Sequence, residues 1–132
     1  MEIVVGIDIG GTNSPYGIIS KEGEILANGL IKTKQFATPE GFCDAMSAKI
    51  KEDLAKLDFH YNLIGIGIGA PNGNFKNGTI EYAPNLQWKG VINLSKLFNE
   101  HFSTPIYITN DANAAAIGEF CFGKAAGMED FV

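Results

Sequence analysis

The chain has 132 residues, 45% of them apolar and 19% charged, with a formal net charge of -5. That composition excludes a disordered chain and supplies one real core, in a length too short for two closing lobes. The acidic balance argues against bulk nucleic-acid binding, and all ten basic residues are lysines, so any phosphate has to be held by backbone amides, hydroxyls, lysine or a metal rather than by a guanidinium clamp.

Residues 2–9 (EIVVGIDI) are almost wholly apolar and β-branched. Such a run predicts a central strand covered on both faces. Gly10 and Gly11 punctuate it. Residues 14–20 predict a second strand, weakened at its start by Pro15, and residues 25–33 a third, giving an antiparallel meander. Thr38, Pro39 and Glu40 then form a helix start. Phe42, Met46, Ile50, Leu54 and Leu57 recur at helical spacing as one apolar stripe. Residues 63–68 (LIGIGI) predict a buried strand whose glycines allow close backbone approach, and residues 69–78 a Gly/Asn-rich loop. A short strand over 79–82 and irregular chain over 83–89 follow, ending in the segment that carries Trp88. Asn93 predicts a helix cap, with the helix running to about Phe102. Residues 106–109 predict a strand, the segment from Asp111 a helix ended by Gly123, and residues 130–132 the start of another strand. The order βββ–α–β–(β)–α–β–α predicts one α/β domain, a mixed sheet with helices on both faces.

Three segments carry chemistry. In Asp8-Ile9-Gly10-Gly11-Thr12-Asn13 an acid ends an apolar strand and two glycines follow. Glycine amides can surround phosphate oxygens, and the carboxylate can hold Mg²⁺ directly or through water; a capped glycine hairpin is the plainer reading. In Asn110-Asp111-Ala112-Asn113 polar residues stand at the carboxyl end of a strand, where open α/β sheets bind ligands. Asp111 there can take a proton from a substrate hydroxyl, or simply cap a helix. In Gly69–Asn74 and Ala83–Trp88, asparagines and a tryptophan suit carbohydrate recognition, although Asn-Gly pairs also make ordinary turns.

Other features are decoys. Gly118–Lys124 spells G-x-x-x-x-G-K, but Ala125 stands where a metal-binding hydroxyl is needed and the segment is helical. Gly65, Gly67 and Gly69 lack the last glycine of a dinucleotide fingerprint. Cys43 and Cys121 read as buried free thiols, and His60 and His101 as surface or capping groups. No apolar run approaches the ~20 residues of a membrane span, and no signal peptide is legible, so the cytosol is the expected compartment.

Taken together, GIDIGGTN, GIGIGAPNG, GTIEYAPNLQW and ITNDANAAAIGE resemble the ordered motifs of the ROK sugar kinases, which include bacterial glucokinases and share the actin, heat-shock ATPase and hexokinase (ribonuclease H-like) fold. The resemblance spans essentially the whole chain. It implies ATP-dependent phosphorylation of a hexose, most readily glucose at its 6-hydroxyl, with ATP and Mg²⁺ as cofactors. It implies Asp111 as general base, with Asn110, Asn72, Gly73 and Asn85 around the sugar. It implies Asp8 organising Mg²⁺ through water, and Gly10, Gly11, Thr12 and Asn13 cradling phosphates. Mannose, fructose or N-acetylhexosamine as substrate and polyphosphate as donor stay open. So does a non-catalytic binding or assembly module that pairs with itself or a partner chain; a sugar-responsive repressor is disfavoured, because the first strand begins at residue 2 and no basic stretch accompanies it. The sequence departs from the family pattern at Asn72, where many members have glycine after the loop proline, and at Pro15, which removes an amide just past the phosphate turn. Family members are about twice as long, so residues 1–132 are expected to be the N-terminal lobe, inactive alone, without the adenosine pocket of the second.

Overall fold

A computed structural model of the chain describes residues 1–74, 76–84, 86–110 and 114–125. Strands β1 (Glu2–Asp8), β2 (Asn13–Ser20) and β3 (Ile25–Lys32) form the expected meander. A single 3-10 turn, Thr33–Gln35, leads to helix α1 (Pro39–Ala55). Next come β4 (Asn62–Gly69), the short strands β5 (Gly73–Asn74), β6 (Thr79–Glu81) and β7 (Val91–Ile92), helix α2 (Leu94–Asn99), β8 (Ile106–Thr109) and helix α3 (Ala114–Ala125).

The main sheet has the order β3-β2-β1-β4-β8. β1 and β2 pair antiparallel, as do β2 and β3, whereas β1–β4 and β4–β8 are parallel. It is therefore the mixed sheet that the element order predicts. Parallel pairs need long crossovers; α1 supplies the one from β3 to β4, and the β5-β6-β7 sheet with α2 the one from β4 to β8. Pro15 pairs with Leu30 of β3 but lies outside the β1–β2 ladder, which stops at Ile7–Tyr16.

Strand alternation assigns the two faces. Ile3, Val5 and Ile7 of β1 pack with Phe42, Met46 and Ile50 of α1, and with Phe98 of α2. Val4 lies on the opposite face, with Ile19 and with Cys121 of α3. Helices thus cover both faces. The α1 stripe is buried at Phe42, Met46, Ile50 and Leu54, each stabilising by roughly 1.5–3 kcal/mol. Thr38 caps this helix, its Oγ1 accepting from the Gly41 N–H at 3.1 Å. Asn93 caps α2 in the same way, accepting from the Lys96 N–H at 3.1 Å. Cys43 and Cys121 are both free and buried. They belong to opposite faces of the sheet, so they cannot pair with each other. Burial pushes the Cys121 thiol up to about 12, which makes it inert at neutral pH.

Three expectations change. Gly123 does not end the last helix, which continues to Ala125. The second helix ends at Asn99, and Phe102 follows it as a buried plug. The Gly/Asn-rich loop contributes a strand of its own, β5, and Val91–Ile92 forms another, β7; with the expected short strand β6 they make a small antiparallel sheet in the order β5-β6-β7. These are two- or three-residue strands, too short for periodicity to register. The anticipated strand at 130–132 lies outside the described residues.

The glycines of β4 have a packing reason. A Cβ on Gly67 would sit 2.9 Å from Ile117 Cγ2 and 3.1 Å from Cys121 Cβ, and one on Gly65 would sit 2.8 Å from Cys121 Sγ. Helix α3 therefore rests directly on the β4 backbone. Replacing a strand glycine with a β-branched residue ordinarily favours a strand. Here Gly67→Val is expected to destabilise the chain by about 1–3 kcal/mol through overpacking. An unchanged or raised urea midpoint would show that α3 does not sit this close.

Candidate active site

The carboxyl ends of the three parallel strands are aligned. Asp8 of β1 pairs with Gly69 of β4, and Gly69 pairs with Thr109 of β8. With neighbouring strands ~4.8 Å apart, the Asp8 and Thr109 backbones are roughly 10 Å apart on one edge. The Ile9 N–H donates to the Gly69 carbonyl at 2.7 Å and the Ala70 N–H to the Thr109 carbonyl at 2.9 Å, so the alignment continues past the strand ends.

The turn after β1 is tight. The Gly10 N–H donates to the Asn13 carbonyl at 3.1 Å, and a Cβ on Gly10 would lie 2.6 Å from that oxygen. Only glycine fits there. Among the described residues, no acceptor is bonded to the Gly11 or Thr12 N–H. Two unused amides beside the half-buried carboxylate of Asp8 suit a phosphate–Mg²⁺ group. The Thr12 and Asn13 side chains are exposed at this turn. Ser14 is turned inward instead, its Oγ 2.6 Å from Thr33 Oγ1 and fully buried. Thr12 also ties the turn to the end of the meander, its carbonyl accepting from the Thr33 N–H at 2.8 Å.

Beside this edge lies an open cavity of about 510 Å³, lined by Asn72, Gly73, Asn74, Lys76, Glu81, Ile108, Thr109 and Asn110. It gathers three of the predicted sugar residues, Asn72, Gly73 and Asn110. A Cβ on Gly73 would lie 2.7 Å from the Thr109 carbonyl oxygen, so the loop leans directly on the end of β8. Asn85 and Asp111 lie outside the described residues.

Asn72 accounts for the departure from a glycine at this position. Its φ is +56°, in the left-handed region that asparagine tolerates better than most residues. Its side-chain amide donates to the Glu81 carbonyl at 3.0 Å and to the Tyr82 carbonyl at 3.1 Å. The amide nitrogen is thus spent on pinning the loop to β6.

Sequence reasoning missed Lys76 and Glu81, and placed Asn74 only within the Gly69–Asn74 loop, not among the individual sugar residues. The available signal was the alternation Thr79-Ile80-Glu81, which puts the two polar residues on one face and buries Ile80 on the other. Glu81 Oε2 accepts from Thr79 Oγ1 at 2.7 Å, from Asn74 Nδ2 at 3.1 Å and from Asn77 Nδ2 at 3.4 Å. These bonds, led by the Thr79 hydroxyl, hold the Glu81 carboxyl below its usual value. Trp88 was expected near the sugar and is not there. It is buried, donates from Nε1 to the Phe36 carbonyl at 3.0 Å and packs its ring 5.1 Å from that of Phe42. Its indole N–H needed a partner, and the 3-10 turn end supplied one.

The family profile of the ROK family matches residues 4–132. The chain belongs to the ROK family. It is 32% identical over 133 residues to a glucokinase of Streptomyces coelicolor, covering 100% of this chain and 40% of that protein. It is 30% identical over 131 residues to a xylose repressor of Caldicellulosiruptor bescii, covering 98% of this chain and 33% of the repressor. The crystal structure of a ROK family glucokinase from Streptomyces griseus in complex with glucose and AMPPNP aligns with a TM-score of 0.71 and 34% identity, over 92% of this chain and 37% of that one. The chain thus spans well under half the length of these ROK relatives, and it shares their sugar-kinase fold.

Two outcomes follow from the loop. Asn72→Ala is expected to cost about 1–3 kcal/mol, from the left-handed backbone and the lost amide bonds, while Asn72→Gly costs less; equal urea midpoints would refute this. The Glu81 network stabilises the loop above the ordinary carboxyl pKa and is lost as pH falls through the lowered one. The Lys76 and Asn77 amide resonances should therefore stay in place at the usual glutamate pKa and move only at lower pH. Movement centred at or above the usual value would contradict the bonding.

Proposed function

We propose that this chain is the N-terminal lobe of an ATP-dependent hexose kinase, with glucose the hexose this reading favours. The observation that carries it is the shared edge, where the Asp8–Asn13 turn and the cavity beside Asn110 are held in register by β1, β4 and β8. The glucokinase relatives, and the similarity to a glucokinase holding glucose and a nucleotide, support the same assignment.

In this reading Asp111 is the general base. It accepts the proton of the attacking sugar hydroxyl, and Asn110 holds the sugar from the adjacent position. Asn72 and Gly73 shape the loop wall, and Asn85 contributes from the segment after β6. Gly10, Gly11, Thr12 and Asn13 orient phosphate oxygens, and Asp8 holds Mg²⁺ through water. When bound with Mg²⁺, ATP supplies an electrophilic γ-phosphoryl group and takes the broken bond's electrons as ADP. Catalysis by the chain's own residues is then positioning plus electrostatics. The adenosine pocket and the remaining sugar contacts belong to the rest of the relatives' length, so the 132-residue chain by itself turns over negligibly. The cytosol is the compartment assigned to it; among the described residues no helix is long and apolar enough to cross a membrane.

The xylose repressor match favours a second reading, in which the same cavity senses a sugar without transferring phosphate. One assay separates the two. Joined to a second lobe like that of its glucokinase relatives, the chain is expected to phosphorylate a hexose in a coupled ADP assay. Asp111→Ala is expected to lower kcat by about 10²–10⁴-fold. Sugar binding without turnover across a hexose panel, or an unchanged kcat in Asp111→Ala, would overturn the kinase reading.

A further inference from the structure

The sugar reading leaves two charged groups of the cavity without a task, Lys76 and Glu81, and the carboxylate has the more defined geometry. Glu81 is the sole carboxylate among the described residues that line it. Its two oxygens are used unequally. Oε2 takes donors from Thr79, Asn74 and Asn77, which exhausts the two lone pairs of a carboxylate oxygen. Oε1 receives no donor from the described residues. A carboxylate anchored through one oxygen has a defined orientation, and the other oxygen is then a preorganised acceptor.

Resting on the sugar reading, we propose that Glu81 is a specificity-determining residue of the cavity: Oε2 anchors the loop, and Oε1 accepts a hydrogen bond from one hydroxyl of the bound hexose. A carboxylate can only accept, so it selects a group that donates. A hydroxyl meets that demand. The bond is charge-assisted and stronger than one between neutral groups. A ligand lacking the hydroxyl leaves Oε1 desolvated and unpaired, and sites built this way discriminate strongly against deoxy analogues.

The chemistry of glutamine separates this role from a structural one. In Glu81→Gln the three donors require the amide oxygen at the Oε2 position. The amide NH₂ then takes the place of Oε1, so an acceptor becomes a donor while the loop network keeps its shape. Glu81→Ala removes both functions.

The test is a titration of the chain and both variants, each joined to a second lobe as in the kinase assay, with D-glucose and its monodeoxy series, followed by ¹⁵N amide shifts at Gly73, Lys76, Thr109 and Asn110. Glu81→Gln is expected to shift the ligand-free Lys76 and Asn77 resonances no further than protonation of Glu81 does in the wild type, and to weaken glucose binding roughly 10- to 100-fold. One deoxy sugar should bind the wild-type chain as weakly as glucose binds Glu81→Gln, and should lose little further in that variant. If Glu81→Gln binds glucose and the whole deoxy series as the wild type does, Glu81 only holds the loop and the proposal fails while the sugar reading stands. If the folded two-lobe wild type shows no hexose-dependent shift, the sugar reading fails, and this assignment with it.

Discussion

Parallel pairing through β4 is the constraint on which the rest depends. A parallel ladder cannot close through a tight turn, so the chain has to leave the sheet and return on one side. That requirement puts the ends of β1, β4 and β8 at the same edge, with Asp8, Gly69 and Thr109 in consecutive register. Loops that follow parallel strands all emerge there, which is why open α/β sheets bind ligands at this edge. The turn after β1 and the cavity beside β8 are neighbours because the sheet leaves them no other place.

β4 can hold this position because of what it lacks. Ile66 and Ile68 fill the α1 side of the sheet, while Gly65 and Gly67 leave the other side open to α3. The strand is packed by side chains on one face and by a helix against its backbone on the other. The helix that follows Asn110–Asp111 is thereby seated on the strand that anchors the loop. Close contact at a glycine recurs at the small sheet, where Gly78 at φ +68° lies against Ser95, with its carbonyl accepting from the Ser95 N–H at 2.9 Å. The turn of the β5–β6 hairpin is thus tied to α2 through Gly78 and to the end of β6 through Glu81.

The long elements were legible in the sequence because their periods are long enough to read. The β1 run, the α1 stripe and the Thr38 and Asn93 caps each follow from local chemistry. The main sheet followed from the order of those elements. The two-residue strands β5 and β7 were not legible, since pairing rather than pattern makes them strands. Trp88 misled because an aromatic beside asparagines looks like a sugar platform until its N–H is found bonded inside the core. Gly10 and Gly73 could be named from sequence as turn residues, but their close contacts come from the tertiary fold. Glu81 escaped notice because its role depends on three donors brought together by a hairpin that the sequence did not announce.

The central claim is that this one edge binds both ligands, phosphate at the β1 turn and hexose beside β8. It is tested most directly by amide shift mapping of the chain, joined to a second lobe like that of its glucokinase relatives, with a Mg²⁺–nucleotide analogue and, separately, with glucose. The account predicts nucleotide-dependent shifts confined to Gly10–Asn13 and glucose-dependent shifts at Gly73, Asn74 and Asn110. Shifts gathered instead at the opposite edge, around Asn62, Ser103 and Thr104 in the cavity between α1 and the start of β8, would contradict it.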